Sequence, residues 1–244
     1  ISAGSELLML PAERVWVELD RALGEPHPDR FIATLRECNA LAVLLPEIDC
    51  LFGVPQPAKY HPEIDTGEHI ILALRQAAMR DASAEVRFAV LVHDLGKGTS
   101  DPALLPGHVG HEERGVALVE DVCERFKVPK AHRLIAVAVT RYHLMVHRAQ
   151  ELRPQKLLNL LVNLDALRRP ERFSEILLAC EIDATGRLGM ADSPYPIADY
   201  LRDARQVAND VNVSEYVQQG LSGEQLREKI VQVRIRALAD ARGV

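Results

Sequence analysis

The sequence feature that most constrains the fold of this chain is an apolar stretch that ends in two polar side chains. Residues 88–92 are Phe, Ala, Val, Leu and Val, and His93 and Asp94 follow them directly. Such a segment belongs in a hydrophobic core, where an imidazole and a carboxylate are costly to bury unless they are paired or metal-bound. We predict a buried helix whose end opens into a site and which Gly96 and Gly98 stop. The alternative is a hydrogen-bonded core histidine beside an aspartate that merely ends the helix.

The rest of the chain also predicts helices and no sheet. Val15, Leu19 and Leu23 repeat at helical spacing, and no segment alternates polar and apolar residues with a period of two. Only 5% of the residues are aromatic, while Leu, Ala, Val, Arg and Glu dominate, which favours helices over strands. The predicted fold class is therefore all-α. Helices are predicted from near Asp65 and at residues 11–23, 28–39, 84–95, 109–126, 130–147, 154–168, 171–188, 197–210 and 223–241.

Local signals predict where some of these helices begin. Asp65 with Glu68, and Ser222 with Gln225, have the spacing of a capping box, in which each side chain satisfies a free backbone amide of the first turn. Residues 53–62 contain three prolines and a glycine and cannot continue a helix. We interpret this segment as the boundary into a second structural unit.

Charge, cysteines and hydropathy exclude several classes of protein. The net charge of −6 gives no global basic field of the kind that drives non-specific nucleic-acid binding. The four cysteines form no CxxC pair, so neither a disulfide framework nor a cysteine zinc site is expected. No apolar run has the length of a membrane span and no signal peptide is recognisable, so we expect a soluble, cytoplasmic protein. The chain starts at Ile1 rather than at Met, and we interpret it as a fragment of a longer protein.

Other histidines and acidic residues supply partners for the dyad. Most of the nine histidines lie between residues 61 and 147. His69 belongs to the preceding helix, and Asp183 follows an apolar run on a later helix. The alternative for Asp183 is a surface ion pair with Arg187, four residues further on. The candidate metal ligands are His69, His93, Asp94 and Asp183.

The order of these four residues resembles that of the HD superfamily of metal-dependent phosphohydrolases. Longer strings resemble the C-terminal half of bacterial CCA-adding enzymes of the HD-containing type, which are tRNA nucleotidyltransferases, and this resemblance covers essentially the whole chain. The strings are LPEID at 45–49, FGVP at 52–55, HPEIDTG at 61–67, HDLGKG at 93–98, PGHVGH at 106–111 and EIDATGR at 181–187.

The resemblance implies an organisation and a set of activities. Residues 1–60 correspond to a helical body that binds tRNA in the family, residues 61–190 to an HD phosphohydrolase domain, and residues 191–244 to a helical tail. The implied activities are 2′,3′-cyclic phosphodiesterase, 2′-nucleotidase and a nickel-supported phosphatase, alongside a magnesium-supported transferase head. The substrate is then tRNA or a nucleotide phosphoester, and the protein is a monomer or a homodimer.

The chain also departs from that family. The nucleotidyltransferase head, with its Gly-rich turn and paired carboxylates, is not in these 244 residues, so this chain alone is not expected to add CCA. Family members can carry an aspartate after the histidine in the segment that here reads Tyr142-His143-Leu144. Leu144 removes that carboxylate and puts a role for its position in doubt.

The donor set indicates the metal and a mechanism. Two imidazoles and two carboxylates suit Mn, Fe, Co, Ni or Zn better than Mg, which prefers oxygen ligands. The mechanistic hypothesis is single-metal hydrolysis, in which the ion activates a water molecule and Asp94 both binds the ion and orients that water. Lys97 is assigned a catalytic phosphate contact by its charge and reach, with a solvated loop lysine as the alternative.

The remaining polar residues leave alternatives open. His108, His111 and His143 are candidates for substrate phosphate or a second metal. Arg114 is interpreted as a surface residue in preference to a phosphate contact. Four arginines near the last ligand helix are candidates for RNA backbone contacts, although a solvated charged face is an alternative for them. They are Arg168, Arg169, Arg172 and Arg187.

Two further functional interpretations compete with a hydrolase module of a CCA-adding enzyme. One is a free-standing HD nucleotidase, against which residues 1–60 and the residues beyond 190 argue, because an HD core needs neither. The other is a non-catalytic scaffold that binds tRNA or dimerises, with a vestigial metal site. The four intact candidate ligands argue against that scaffold.

Overall fold

The computed structural model describes residues 4–243. Residues 1–3 and 244, at the ends of the predicted first and last segments, lie outside this range. Within 4–243 the chain is helical and has no strand, which confirms the all-α prediction. The α-helices are α1 (Gly4–Leu7), α2 (Ala12–Gly24), α3 (Pro28–Glu37), α4 (Leu41–Leu44), α5 (Pro46–Asp49), α6 (Thr66–Met79), α7 (Ala84–Val92), α8 (His111–Phe126), α9 (Lys130–His147), α10 (Pro154–Asn163), α11 (Pro170–Thr185), α12 (Ile197–Asn209), α13 (Val213–Gln218) and α14 (Gly223–Asp240).

The chain divides into two compact units. The first unit contains the residues up to His143 together with Glu175–Tyr195, and the second contains Leu144–Ser174 and the residues from Pro196 onward. Two of the three divisions fall inside α9 and α11, and the third falls between α11 and α12. Three short 3₁₀-helices, Leu95–Thr99, Pro102–Leu104 and Ala149–Glu151, complete the helical segments.

The predicted helix starts are only partly capped as expected. The Asp65 carboxylate accepts a hydrogen bond from the amide of Glu68 at 3.0 Å, which confirms the cap of α6. The reciprocal arm of the capping box is not formed there, because the Asp65 amide donates to the carbonyl of Glu63. Ser222 precedes α14 but makes no side-chain capping bond, so that predicted cap is wrong.

α7 ends earlier than predicted, and the turn that follows it carries residues of the site. The helix ends at Val92, with His93 as its C-cap, and the chain tightens into the 3₁₀-helix Leu95–Thr99. This tight turn packs directly against α8: a Cβ added to Gly96 would lie 1.9 Å from the carbonyl oxygen of His111. Gly96 is therefore needed for close approach of two backbones rather than as the stop signal of a longer helix.

Two other helices are shorter than predicted. α10 ends at Asn163 because Asp165 adopts a left-handed backbone conformation, with φ of 52°, that an α-helix cannot contain. α11 ends at Thr185, and Gly186 lies where any side chain would collide with the backbone of Ala73 on α6. This close approach brings α11 and its Asp183 next to α6. The helices α1, α4, α5 and α13 were not predicted as separate helices.

The core of the first unit joins α2 to α7. The rings of Trp16 and Phe88 meet edge to face with centroids 5.3 Å apart. The buried guanidinium of Arg87 donates hydrogen bonds to the carbonyl oxygens of Ala82, Leu23 and Glu25 at 2.7–2.8 Å. It thereby satisfies carbonyl groups at the C-terminal end of α2, which otherwise lack partners. These contacts fix the helix that carries His93 against the N-terminal helices.

The loop before α6 is ordered by backbone bonds of its own. The amide of Gln56 donates to the carbonyl of Ile64 at 2.7 Å, and Pro55 and Asp65 form an isolated antiparallel bridge. The loop thus returns on itself and brings Gln56 and Glu63 beside the start of α6. Both side chains enter the site described below.

The second unit is built on α10, α12 and α14. Arg205 donates to the carbonyl of Ala166 at 2.8 Å, and Arg234 donates to that of Ala208 at 2.9 Å. Arg242 donates to the carbonyl oxygens of Gln150 and Leu152. Over the described residues, no helix is both long and apolar enough to cross a bilayer.

Candidate functional site

Four buried side chains from three helices and a turn meet inside the first unit. His69 lies in the first turn of α6, His93 caps α7, Asp94 follows it, and Asp183 lies near the end of α11. None of the four residues is more than 3% exposed. The structure therefore brings together all four residues that the sequence suggested as metal ligands.

The distances within this cluster are those of direct contact. Nε2 of His69 lies 3.1 Å from Oδ1 of Asp183, and Nε2 of His93 lies 3.2 Å from Oδ2 of Asp94 and 3.8 Å from Oδ1 of Asp183. Nitrogen and oxygen donors of His69, His93 and Asp183 lie within 4.8 Å of one another. One small cation can therefore contact all of them.

The contacts made by Nδ1 of His69 and of His93 indicate which ring nitrogen carries the hydrogen. Nδ1 of His93 lies 2.8 Å from the carbonyl oxygen of Val90, which can only accept, so Nδ1 carries the hydrogen. Nδ1 of His69 lies 3.0 Å from Oε1 of Glu63, a second acceptor. With the hydrogen at Nδ1, Nε2 is the ring atom of His69 and of His93 that faces the carboxylates. Histidines that ligate metals are held in this way by acceptors behind them.

The residues fit a divalent cation. Nε2 of His93 and Oδ1 of Asp94 are buried without a well-formed hydrogen bond to any described residue, whereas Oδ2 of Asp94 pairs with Lys97. Burial raises the pKa of Asp94, but the charges of His93 and Lys97 outweigh it and hold that pKa well below its usual range. Burial lowers the pKa of His93, but the Asp94 carboxylate outweighs it and leaves the pKa raised. The cluster thus favours positive charge, and two nitrogen with two oxygen donors suit a transition metal.

Lys97 lies at the edge of the cluster and contacts two partners. Its Nζ is 2.7 Å from Oδ2 of Asp94 and donates to Oε1 of Gln56 at 2.6 Å. The side chain is 8% exposed. Gln56 was not anticipated from the sequence, because it lies in the irregular loop before α6 where no periodicity marks a buried polar residue.

Two of the other candidate histidines reach the opposite side of Asp94. Nε2 of His111 and Nε2 of His143 lie 3.4 Å and 3.7 Å from Oδ1 of Asp94, and 3.4 Å from each other. Their Nδ1 atoms contact backbone carbonyl oxygens, those of His108 for His111 and of Val139 and Thr140 for His143. Burial lowers the pKa of His143 to about 3, although the charge of Asp94 opposes this, so the ring is neutral near pH 7.

His108 is not brought into the cluster. Its Nδ1 lies 2.8 Å from Oγ of Ser100, and its Nε2 lies 3.0 Å from the carbonyl oxygen of Pro55. Both ring nitrogens therefore have partners in the surrounding loops. Arg114 also contacts these loops, at Oγ of Ser100 and the carbonyl of Val109.

Glu63 is the main site residue that the sequence analysis missed. Its Oε1 lies 3.0 Å from Nδ1 of both His61 and His69, and its Oε2 accepts from the amide of Leu188 at 3.2 Å. Burial raises the pKa of Glu63, but hydrogen bonds from the two histidines hold it far below its usual range. The one available signal was the position of Glu63 between His61 and His69 in a proline-containing segment, which specifies no contact.

The four candidate RNA-binding arginines are divided between the two units. Arg168 and Arg169 are exposed, and Arg172 pairs with Asp165 at 2.7 Å; these three belong to the second unit. Arg187 belongs to the first unit, where its Nη2 lies 3.6 Å from Oδ1 of Asp183. The ion pair suggested as the alternative for Asp183 is therefore formed, beside the cluster rather than instead of it.

Two family models match the chain. Residues 66–188 match the HD domain, and residues 2–51 match a model described as the probable RNA and SrmB-binding site of polymerase A. The first match includes His69, His93, Asp94 and Asp183. The second covers the helices before the loop at residues 53–62.

Curated relatives with the name multifunctional CCA protein align over nearly the whole chain. Those from Thioalkalivibrio sulfidiphilus and Nitrosococcus oceani are each 53% identical, over 236 and 241 residues, which is 97% and 99% of this chain. The one from Pseudomonas fluorescens strain Pf-5 is 50% identical over 238 residues. The chain spans 58%, 59% and 58% of the lengths of these three relatives.

Proposed function

The chain belongs to the HD-domain family, and from this premise we propose that it is a metal-dependent phosphohydrolase module of a CCA-adding tRNA nucleotidyltransferase. The proposed ligands are His69, His93, Asp94 and Asp183. The substrates are phosphoesters at RNA 3′ ends and in nucleotides, with 2′,3′-cyclic phosphodiesterase, 2′-nucleotidase and phosphatase activities. The names of the relatives, together with their similarity over nearly the whole chain, support this assignment.

One observation carries the proposal: the Nε2 atoms of two imidazoles face buried carboxylate oxygens. Nε2 of His69 and Oδ1 of Asp183, 3.1 Å apart, are both electron-pair donors once Glu63 takes the hydrogen at Nδ1 of His69. Their contact is unfavourable unless a cation or a proton lies between them. A mixed nitrogen and oxygen donor set favours Ni, Mn, Co, Fe or Zn for that cation, with Mg assigned to a transferase head as in the family.

The surrounding residues have separate roles in hydrolysis. When bound, the divalent ion supplies a Lewis acid that activates water and polarises a phosphoryl oxygen. Asp94 remains ionised because Lys97 and His93 lower its pKa, so it can accept a hydrogen bond from the attacking water and orient it. Lys97 neutralises Asp94 and is itself positioned by Gln56. Glu63 orients His69 and increases its basicity.

For His111 and His143, which lie on the Oδ1 side of Asp94, we favour the binding of a second cation. Nδ1 of both rings contacts backbone carbonyl oxygens, so the two Nε2 atoms and Oδ1 of Asp94 attract a cation or a hydrogen-bond donor rather than an unprotonated phosphate oxygen. Donors of His93, Asp94 and His143 also lie within 4.8 Å of one another. Asp94 then serves both positions through its two oxygens.

A second function, tRNA binding, is favoured by a separate observation. Residues 2–51 match the RNA-binding model, although the net charge of the chain is −6. We propose that this segment binds the phosphate backbone of tRNA. The exposed Arg168 and Arg169 of the second unit are separate candidates for such contacts. A gel shift with tRNA that weakens as salt is raised tests this function, because phosphate contacts release counterions.

Hydrolysis of 2′,3′-cyclic AMP tests the main proposal. The wild-type chain should hydrolyse it only with added Ni or Mn, and Asp94→Ala should abolish the reaction. Asp199→Ala, which removes an exposed aspartate paired with Arg202, is the matched control and should behave as wild type. If Asp94→Ala hydrolyses at the wild-type rate, the site assignment is wrong.

A further inference from the structure

Arg187 is the more accessible of two cations that touch the cluster. Lys97 is 8% exposed and is held by Asp94 and Gln56. The Arg187 side chain is 19% exposed, and its guanidinium lies 3.6 Å from the proposed ligand Asp183. A planar guanidinium can contact two phosphate oxygens at once, so Arg187 is suited to a phosphate that enters beside Asp183.

Two hydrogen bonds join Arg187 and its neighbour to the loop before α6. Nη1 of Arg187 donates to the carbonyl oxygen of Tyr60 at 3.2 Å, and the amide of Leu188 donates to Oε2 of Glu63 at 3.2 Å. The same Glu63 contacts Nδ1 of His69 through its other oxygen. The position of Tyr60 is therefore fixed relative to the guanidinium and to the metal-ligating side chains.

Tyr60 is an exposed aromatic residue whose backbone carbonyl is bonded to Arg187. The residue is 57% exposed although it is large and partly apolar, and the ammonium of Lys59 lies 5.2 Å from the centroid of its ring. An exposed aromatic face attracts nucleobases by stacking, in a way that tolerates any base. Two cations contact Tyr60, Lys59 at the ring and Arg187 at the backbone carbonyl, and they add affinity for an anionic ligand in a chain whose net charge is −6.

We propose that Arg187 and Tyr60 form a nucleotide-binding edge of the metal centre, with the phosphate on Arg187 and the base stacked on Tyr60. This inference rests on the proposed hydrolase function and names how that site selects nucleotides over other phosphoesters. A free mononucleotide and the terminal nucleotide of an RNA share the required chemistry, a phosphate with a base attached through ribose.

Binding measurements separate the two residues. Isothermal titration of the wild-type chain with adenosine 2′-monophosphate, with the dinucleotide CpA and with inorganic phosphate gives three dissociation constants. Tyr60→Ala should weaken binding of the mononucleotide roughly tenfold and leave inorganic phosphate unchanged, because only the base stacks. Tyr60→Phe should retain wild-type affinity. Arg187→Met should weaken all three ligands about tenfold or more.

The chain provides matched controls for both substitutions. Tyr216 also has a lysine ammonium near its ring, that of Lys229 at 5.5 Å, but it lies in the second unit. Arg236 has the same four-residue spacing to an aspartate, Asp240, as Arg187 has to Asp183. Tyr216→Ala and Arg236→Met should leave all three dissociation constants unchanged. CpA that binds more tightly than the mononucleotide identifies an RNA end as the preferred ligand, and the reverse order identifies a free nucleotide.

The outcomes also separate this inference from the proposed function. The stacking role alone is overturned if the wild-type chain binds Ni and hydrolyses 2′,3′-cyclic AMP but Tyr60→Ala changes neither the KM for that substrate nor the affinity for the mononucleotide. An Arg187→Met variant that binds Ni and still binds inorganic phosphate as the wild type does overturns the phosphate role. A wild-type chain without Ni binding or hydrolysis contradicts the proposed function itself.

Discussion

Nε2 of His69 lies 3.1 Å from Oδ1 of Asp183, although 114 residues separate them in the chain. Behind this contact, Glu63 lies 3.0 Å from Nδ1 of His69, and Arg187 lies 3.6 Å from Oδ1 of Asp183. The pair is buried, so water cannot separate the two atoms, and they repel each other unless a proton or a cation lies between them. The stability of the site should therefore depend on a bound cation.

Replacement of Asp183 by asparagine tests that dependence. The side-chain amide that Asp183→Asn introduces can donate to Nε2 of His69, so the metal-free variant should be as stable as the wild type or more stable. Nickel at 100 times its dissociation constant should stabilise the wild type by about 2.7 kcal/mol, which is roughly 5–11 °C in Tm for a chain of this size. Asp183→Asn should lose this increase, and Asp199→Asn, at an exposed ion pair, should keep it. Thermal unfolding with and without NiCl₂ measures both, and an equal increase in all three proteins contradicts the ligand role of Asp183.

Replacement of Glu63 by glutamine tests whether the contact of Glu63 with Nδ1 of His69 contributes to metal binding. Because Glu63 orients this imidazole and raises its basicity, the variant should bind nickel about 10- to 100-fold more weakly while it stays folded. Glu47→Gln removes a carboxylate that is paired with Arg125 at 2.7 Å and serves as the control. Isothermal titration with NiCl₂ gives the affinities. A dissociation constant for Glu63→Gln within twofold of the control would remove Glu63 from the site.

The metal-free protein should lose stability as the pH falls from about 6.5 towards 4. Burial lowers the pKa of His61 to about 4, although its hydrogen bond to Glu63 opposes this, whereas the unfolded chain has an ordinary pKa of about 6.5. Between these values the unfolded state binds the additional proton, so the free energy of unfolding falls as the pH is lowered. His61 should account for on the order of 1–2 kcal/mol between pH 7 and pH 5.

Urea unfolding of the metal-free chain at pH 7 and pH 5 measures this contribution. His61→Asn should show a smaller loss of stability between the two pH values than the wild type, since it has no imidazole to protonate. His27→Asn, at an exposed position before α3, should lose as much as the wild type. An identical loss in the His61 variant contradicts the assignment.

Gly96→Ala should disrupt the site without touching a polar group. The added methyl would lie 1.9 Å from the carbonyl oxygen of His111 and 2.7 Å from the amide nitrogen of Gly115. Because both are backbone atoms, the turn that carries Asp94 must move away from α8, at a cost of several kcal/mol. Gly24→Ala, where nothing lies within 4 Å of the new methyl, should change stability by less than about 1 kcal/mol. Urea unfolding and nickel titration of both variants check this, and wild-type behaviour of Gly96→Ala would refute the close packing.

The all-α class and the polar pair at the end of a buried helix could be predicted from the amino-acid sequence alone. Apolar spacing indicates which face of a helix is buried, and the cost of burying His93 and Asp94 without partners is enough to indicate a site. The order of His69, His93, Asp94 and Asp183 singled out the four residues that the fold brings together. The helix ends at residues 92, 163 and 185 were not predictable, because a left-handed residue and close backbone packing decided them.

The residues that contact the four proposed ligands could be identified only from the folded chain. Glu63, Gln56 and Tyr60 lie in an irregular loop, where side-chain direction follows from long-range backbone bonds rather than from a repeating spacing. The same holds for His108, which its contacts with Ser100 and Pro55 keep out of the cluster that its neighbour His111 joins. Local sequence encodes periodicity and the cost of burial. The approach of α6, α8 and α11 depends on whole helices packing at Gly96 and Gly186, and that packing sets the distances on which the chemistry depends.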